Sequence, residues 1–224
     1  MILYFVILYE KISNDAEIKG LIARIDADQV NTLPSDHGIK HVMFCVNFVE
    51  RFLKMLGCDS RTIELAKVAA FLHDIGSVQG KENHVQNSVI FVKDYFNRIN
   101  IEKCDAEIII DAIANHSAGK ELNSVVSAAL VLADKCHWTR DRIIENCKFD
   151  YSYYDVPVIP HIDKIDKIVP MVTDKELILT YHVLQGFNPK SIEIINGVKP
   201  VFPKIANYLG KELKIEIVST LTKV

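Results

Sequence analysis

Apolar residues recur at three- and four-residue steps along the first two thirds of the chain, the spacing that lines one face of an α-helix. Ile18, Leu21, Ile22 and Ile25 predict a helix over 16–30 that ends near Asn31 to Pro34, with Ser35 or Asp36 capping the next. The second stripe runs through His41, Val42, Cys45, Val46, Val49, Phe52, Leu53 and Leu56 and stops at Gly57. Ser60 opens a third helix whose body, Ile63, Leu65, Ala66, Val68, Ala69 and Leu72, is almost wholly apolar, as in the centre of a bundle. A fourth is expected from His84 to Ile99 after a polar loop, Ser77 to Asn83. A fifth is expected with Asp105 as cap and Ile109, Ala112, Ile113 and His116 inward, and a sixth from Ser124 through Val126, Val131 and Asp134.

Beyond Trp138 the period is lost. Residues 149–161, rich in tyrosine, read as a connector. Ile162 to Val172 and Glu176 to Leu184, around the polar turn Thr173 to Lys175, read as a hairpin. Asn188 caps a helical segment that Pro200 and Pro203 interrupt, and Lys211 to Ser219 alternates as a last strand. The expected fold is therefore mainly α: a helical bundle over 1–150 and a small α+β extension of hairpin, helix and strand over 151–224.

Polar residues inside the apolar stripes change the picture. His41, His73, Asp74, His84, His116 and Asp134 fall on inward faces or at the ends of apolar helices. Each alone can be a core imidazole bonded to a backbone carbonyl, or a helix end facing water with Gly76 as its stop signal. Converging from five helices, four imidazoles and two carboxylates can hold one or two divalent cations. A ligand set without thiolate suits Fe, Mn, Co, Ni or Zn and excludes a structural cysteine-zinc site.

Composition narrows the partners. The net charge is -3 with Lys and Arg scattered, so no basic stripe announces a nucleic-acid polymer. Five cysteines without a CxxC pair fit a reduced, cytoplasmic protein. The opening MILYFVILY is far shorter than the ~20 residues of a membrane span and lacks the flanks of a secretory signal, so it reads as a buried strand or helix and no membrane partner is expected. A second copy of the chain, as a homodimer, remains open.

The order H…HD…H…H…D, with AFLHDIG, AIANHSAG around His116 and LVLADK around Asp134, resembles the HD-domain metal-dependent phosphohydrolases over about residues 36–142. It is most similar to the dinuclear forms, which include bacterial diadenosine tetraphosphate hydrolases. The resemblance implies an HD-domain bundle with its metal site within 37–142. His41, His73, Asp74 and Asp134 would hold one metal, and His84 and His116 a second bridged by Asp74. In such a pair, cations about 3.5–4 Å apart share a hydroxide that attacks phosphorus in line. Asp74 and Lys135 are then the expected catalytic residues. Lys81, Lys135, Arg140, Arg142 and His37 are expected to bind phosphate, and His137 and Trp138 could offer a base a stacking surface, the tryptophan otherwise being a core plug.

Two departures bear on substrate. Many members carry Lys after HDIG where this chain has Ser77, which leaves that role vacant or passes it to Lys81. The GYP element of the cyclic di-GMP hydrolases is absent, so that substrate is not expected. The function implied is hydrolysis of a phosphomonoester or phosphoanhydride, with nucleotides the favoured class, by a metal-bound hydroxide. The alternative is a sensor or structural protein that binds metal and nucleotide without turnover.

Overall fold

Helix α4, Ser60–Leu72, buries almost its whole circumference, because Leu65, Ala66, Val68, Ala69, Ala70, Phe71 and Leu72 leave it no polar face. In a computed structural model describing residues 2–117, 121–148, 159–198 and 200–219 it is the axis of the bundle. Around it stand α1 (Ile2–Ser13), α3 (Ile39–Met55), α6 (Lys103–Asn115) and α7 (Val125–Cys136). The outer layer is α2 (Ala16–Thr32) and α5 (His84–Ile99), both packed on the 3-10 turn Ile75–Gln79. Fully buried residues such as Phe52, Leu53, Leu72, Leu130 and Leu132 each contribute about 1.5–3 kcal/mol through the surface they remove from water.

The opening apolar run is a helix, and among the described residues no helix is long and apolar enough to cross a membrane. Local side chains fix several boundaries. Asp15 accepts from the Glu17 and Ile18 amides at the start of α2, Asp59 from Thr62 at the start of α4, and Ser124 from Ser127 at the start of α7.

Two expected caps are corrected. Neither Ser35 nor Asp36 caps α3, which opens at Gly38. There the Asp26 carboxylate accepts from the Ile39 amide at 3.1 Å and Asp36 accepts from Gly38 at 2.8 Å. Asp105 does not cap α6 either. The helix begins earlier, at Glu102, and Asp105 in its first turn pairs with Arg61 at 2.5 Å. In both cases a partner remote in sequence satisfies a group that local reading assigned to its neighbours.

The expected connector lies outside the described residues over 149–158. Its last part forms α8 (Ile159–Ile162), so the hairpin starts at Ile165 rather than Ile162. Strand β1 (Ile165–Val172) runs antiparallel to β2 (Glu176–Val183). Helices α9 (Lys190–Val198) and α10 (Val201–Tyr208), divided at Pro200, carry the chain across to β3 (Glu212–Ser219), parallel to β2. In this three-stranded sheet, ordered β1-β2-β3, the central strand buries Leu177, Ile178, Leu179 and Tyr181. Sheet and bundle share one apolar cluster, because α3 and α7 both meet β1 and α7 also meets α10.

Gly76, a stop signal only in the reading that has the helix end face water, does different work. Its φ is not positive, and its amide donates to Ser88 Oγ at 2.9 Å. A Cβ there would lie 2.3 Å from the His84 carbonyl oxygen and 2.4 Å from the Ser88 nitrogen, both backbone atoms of α5. Only hydrogen fits between the 3-10 turn and α5. Gly76→Ala is expected to lower stability by about 1–3 kcal/mol, as overpacking does. Urea denaturation checks this, and a midpoint equal to wild type would contradict the tight approach.

Candidate metal centre

Five helices deliver six donor side chains to one place, and most do so from an end. His73 is the residue after α4 and Asp74 the next, where the helix gives way to the 3-10 turn. That turn and the close approach at Gly76 bring back His84, the first residue of α5. His116 ends α6, Asp134 lies in the last turn of α7, and His41 sits in the first turn of α3. All six are buried.

Asp74 is the midpoint. Its Oδ2 lies 3.1 Å from His73 Nε2 and 3.4 Å from His41 Nε2. Its Oδ1 lies 3.3 Å from His116 Nε2 and 3.7 Å from His84 Nε2. Asp134 adds Oδ1 at 3.4 Å from His41 Nε2. The donor atoms of His73, Asp74 and His116 all fall within 4.8 Å of one another. The structure thus brings together His41, His73, Asp74, His84, His116 and Asp134, each carboxylate oxygen of Asp74 facing two imidazoles.

The other ring nitrogens show which way these imidazoles are wired. Nδ1 of His73, His84 and His116 donates to the carbonyl three residues earlier, Ala70, Lys81 and Ile113, at 2.8, 3.0 and 2.7 Å. With the proton fixed on Nδ1, the Nε2 lone pair points inward, the arrangement of metal-ligating histidines. Lone pairs on nitrogen therefore face lone pairs on oxygen, and both Asp74 oxygens are buried without accepting any hydrogen bond. A buried carboxylate in that position needs a cation. The donor set and the orphaned oxygens fit divalent metal.

Titration behaviour agrees. Burial pushes the Asp74 carboxyl up, but His73 and His37, helped by His116 and His41, outweigh it and hold the group well below the usual carboxylate range. Burial lowers His73, yet Asp74 outweighs it and raises the affinity of that imidazole for a proton. Burial and Lys81 bring His84 down to about 3, and burial also lowers His116. Asp74 keeps its negative charge and calls for positive charge in return.

Cys45, one turn along α3, has its sulfur 3.8 Å from His41 Nε2 and groups with His41 and His73. Burial holds its thiol well above the usual range.

The expected phosphate-binding groups divide. Lys135 and Arg142 are buried beside Asp134: the Lys135 ammonium bonds Oδ2, and Arg142 Nη1 bonds Oδ1 at 2.7 Å. Together they hold the Asp134 carboxyl far down against the upward push of burial. Lys81 Nζ donates to His37 Nε2 at 3.0 Å while His37 Nδ1 donates to the Ser35 carbonyl, so His37 stands behind Lys81. Burial draws the Lys81 ammonium down to about 8. Arg140 is exposed on the short turn Arg140–Arg142.

His137 is not a stacking surface for a base. It is buried, one face covered by Phe44 at 4.0 Å between ring centroids, with Nδ1 2.8 Å from His41 Nδ1. Sequence reading missed this link, for which the only signal was an imidazole close behind a candidate ligand. Trp138 is half-buried, with Lys135 Nζ 5.1 Å from its ring centroid.

Residues 38–139 match the family described as HD domain, a span that contains all six donors. Among curated proteins nothing matches the chain. One similar solved structure is that of a predicted HD superfamily hydrolase from an uncultured Thermotogales bacterium. It is 19% identical over 54% of this chain and 66% of that one, with a TM-score of 0.43.

Because the folded centre binds cations that the unfolded chain cannot gather, Mn²⁺ or Co²⁺ at about 100 times its dissociation constant is expected to add roughly 2.7 kcal/mol of stability. Thermal melting reads this as an upward shift that Asp74→Ala removes. A variant that keeps the full shift would place the cation elsewhere.

Proposed function

We propose that this chain, whose residues 38–139 match the HD domain family, hydrolyses a small phosphorylated metabolite, a phosphomonoester or phosphoanhydride, with nucleotides the favoured class. The observation that carries this reading is the division of Asp74: two imidazole nitrogens on each carboxylate oxygen. His41, His73, Asp74 and Asp134 would make one ligand set, and Asp74, His84 and His116 a second. When bound, divalent cations supply a nucleophile from water at neutral pH and offset charge on the phosphoryl oxygens.

The chain's own residues supply the rest. The Nδ1–H bonds of His73, His84 and His116 hold the imidazoles in place, so no reorganisation is needed when charge develops. Asp74, shared by both sets, fixes their separation. Lys81, steadied by His37 Nε2, keeps two further ammonium protons for a phosphate oxygen. Lys135 and Arg142 lie against Asp134 at the same centre, where an anionic substrate gives them a second acceptor.

Phosphate release from a panel of nucleotides and phosphomonoesters, assayed with Mn, Fe, Co, Ni and Zn, tests the reading. Wild type is expected to turn over at least one class with two bound cations by elemental analysis, His116→Ala to retain one, and Asp74→Asn to lose activity. Removing a charge-assisted contact costs about 1.5–3 kcal/mol, so Lys81→Met is expected to raise KM roughly 10- to 100-fold with a smaller change in kcat. Tight nucleotide binding without turnover under any metal would favour the sensor instead.

A further inference from the structure

Three of the four ligand imidazoles fix their tautomer in the same way, by donating Nδ1–H to the carbonyl three residues back. They can do so because each stands at a helix boundary. His41 does not. It lies inside the first turn of α3, where the carbonyl three residues back, that of Gly38, accepts from the Val42 amide at 3.0 Å. In place of a carbonyl, its Nδ1 meets Nδ1 of His137 at 2.8 Å, the two rings nearly parallel at 6°.

His41 Nε2 also lies 3.1 Å from His73 Nε2, and Arg142 points to which nitrogen of His41 carries the proton. A guanidinium can only donate, and its Nη2 lies 3.2 Å from His41 Nε2, so that nitrogen offers a lone pair. In the neutral ring the proton is then on His41 Nδ1, donated to an unprotonated His137 Nδ1. Were the bond reversed, His41 would carry its proton on Nε2 and could not hold a metal.

From this we infer that His137 is a positioning residue for the metal centre: it accepts the Nδ1 proton of His41 and so turns the Nε2 lone pair towards Asp74 and Asp134. The role suits an imidazole. A carboxylate there would add a third buried negative charge beside Asp74 and Asp134, whereas a neutral ring stacked on Phe44 accepts the proton without changing the charge of the centre. The inference rests on the reading of His41 as a ligand, and the tests separate the two.

In long-range ¹H–¹⁵N NMR spectra of metal-free wild type, His41 is expected with Nε2 unprotonated. His137→Phe keeps a ring against Phe44 and removes the acceptor. It is expected to mix the His41 tautomers and to weaken cation binding at the set containing His41 by about 10- to 100-fold, the usual effect of losing such a partner. Binding at His84 and His116, followed in the same calorimetric titration with Co²⁺, is expected to hold. His137→Asn, whose side-chain oxygen can stand in for Nδ1, is expected to restore most of the affinity.

A proton on His41 Nε2 in wild type overturns the inference, and this spectrum decides even if the Phe variant fails to fold. Equal weakening at both sets, wild-type affinity in His137→Phe, or no rescue by Asn overturns it too. If wild type itself takes up no divalent cation, the reading of the centre fails and not merely the part given to His137.

Discussion

A carboxylate with both oxygens out of water and no proton donor aimed at either is the condition around which the bundle is built. Asp74 follows the central helix α4, and three imidazoles, those of His73, His84 and His116, present it with lone pairs rather than protons. Leaving such a group uncompensated costs several kcal/mol, comparable to the whole stability of an ordinary domain. The pressure is for a cation, and the arrangement of the helices meets that need.

Helix ends do most of this work. The last carbonyls of a helix have no intrahelical donor, and at α4 and α6 those of Ala70 and Ile113 are taken up by His73 and His116. The same bond that satisfies the helix terminus sets the tautomer of the candidate ligand, so one contact serves both the helix end and the proposed metal centre. His84 uses the carbonyl of Lys81 in the turn before α5. The turn can pass so close only because Gly76 has no side chain to hold it away from α5. His41 lies within a helix, and there its Nδ1 meets the side chain of His137 instead of a carbonyl.

That contrast explains what could be read in advance. The six donors were legible because burial and helical period speak together: an imidazole in line with Val42 and Cys45, or one ending Ile109, Ala112 and Ile113, must face inward. Most helix spans and the hairpin were legible for the same reason. What was hidden depended on partners remote in sequence. Ser35, Asp36 and Asp105 looked like caps by position, but Asp26 meets the Ile39 amide and Arg61 draws Asp105 into an ion pair. Nothing in the alternation of Leu213, Ile215 and Ile217 said that the last strand would lie parallel to β2. His137 suggested an aromatic platform because its distance from His41, ninety-six positions back, is closed only by the packing of α3 on α7.

Charge at the centre argues for the kind of molecule that belongs there. At the centre two carboxylates, Asp74 and Asp134, stand among three cationic side chains, with Lys135 and Arg142 bonded to Asp134 and Lys81 to His37, so cationic side chains outnumber carboxylates although none is bonded to Asp74. A neutral ester or amide would leave that excess unanswered in a low-dielectric setting. A phosphoryl group carries the compensating charge on oxygens that several donors can share. Divalent ions add to the same imbalance, so filling the ligand sets and admitting a polyanion stabilise each other. The buried guanidinium and ammonium beside Asp134 are part of the case for phosphate: a centre that needed only to hold metal would have been better served by fewer positive neighbours.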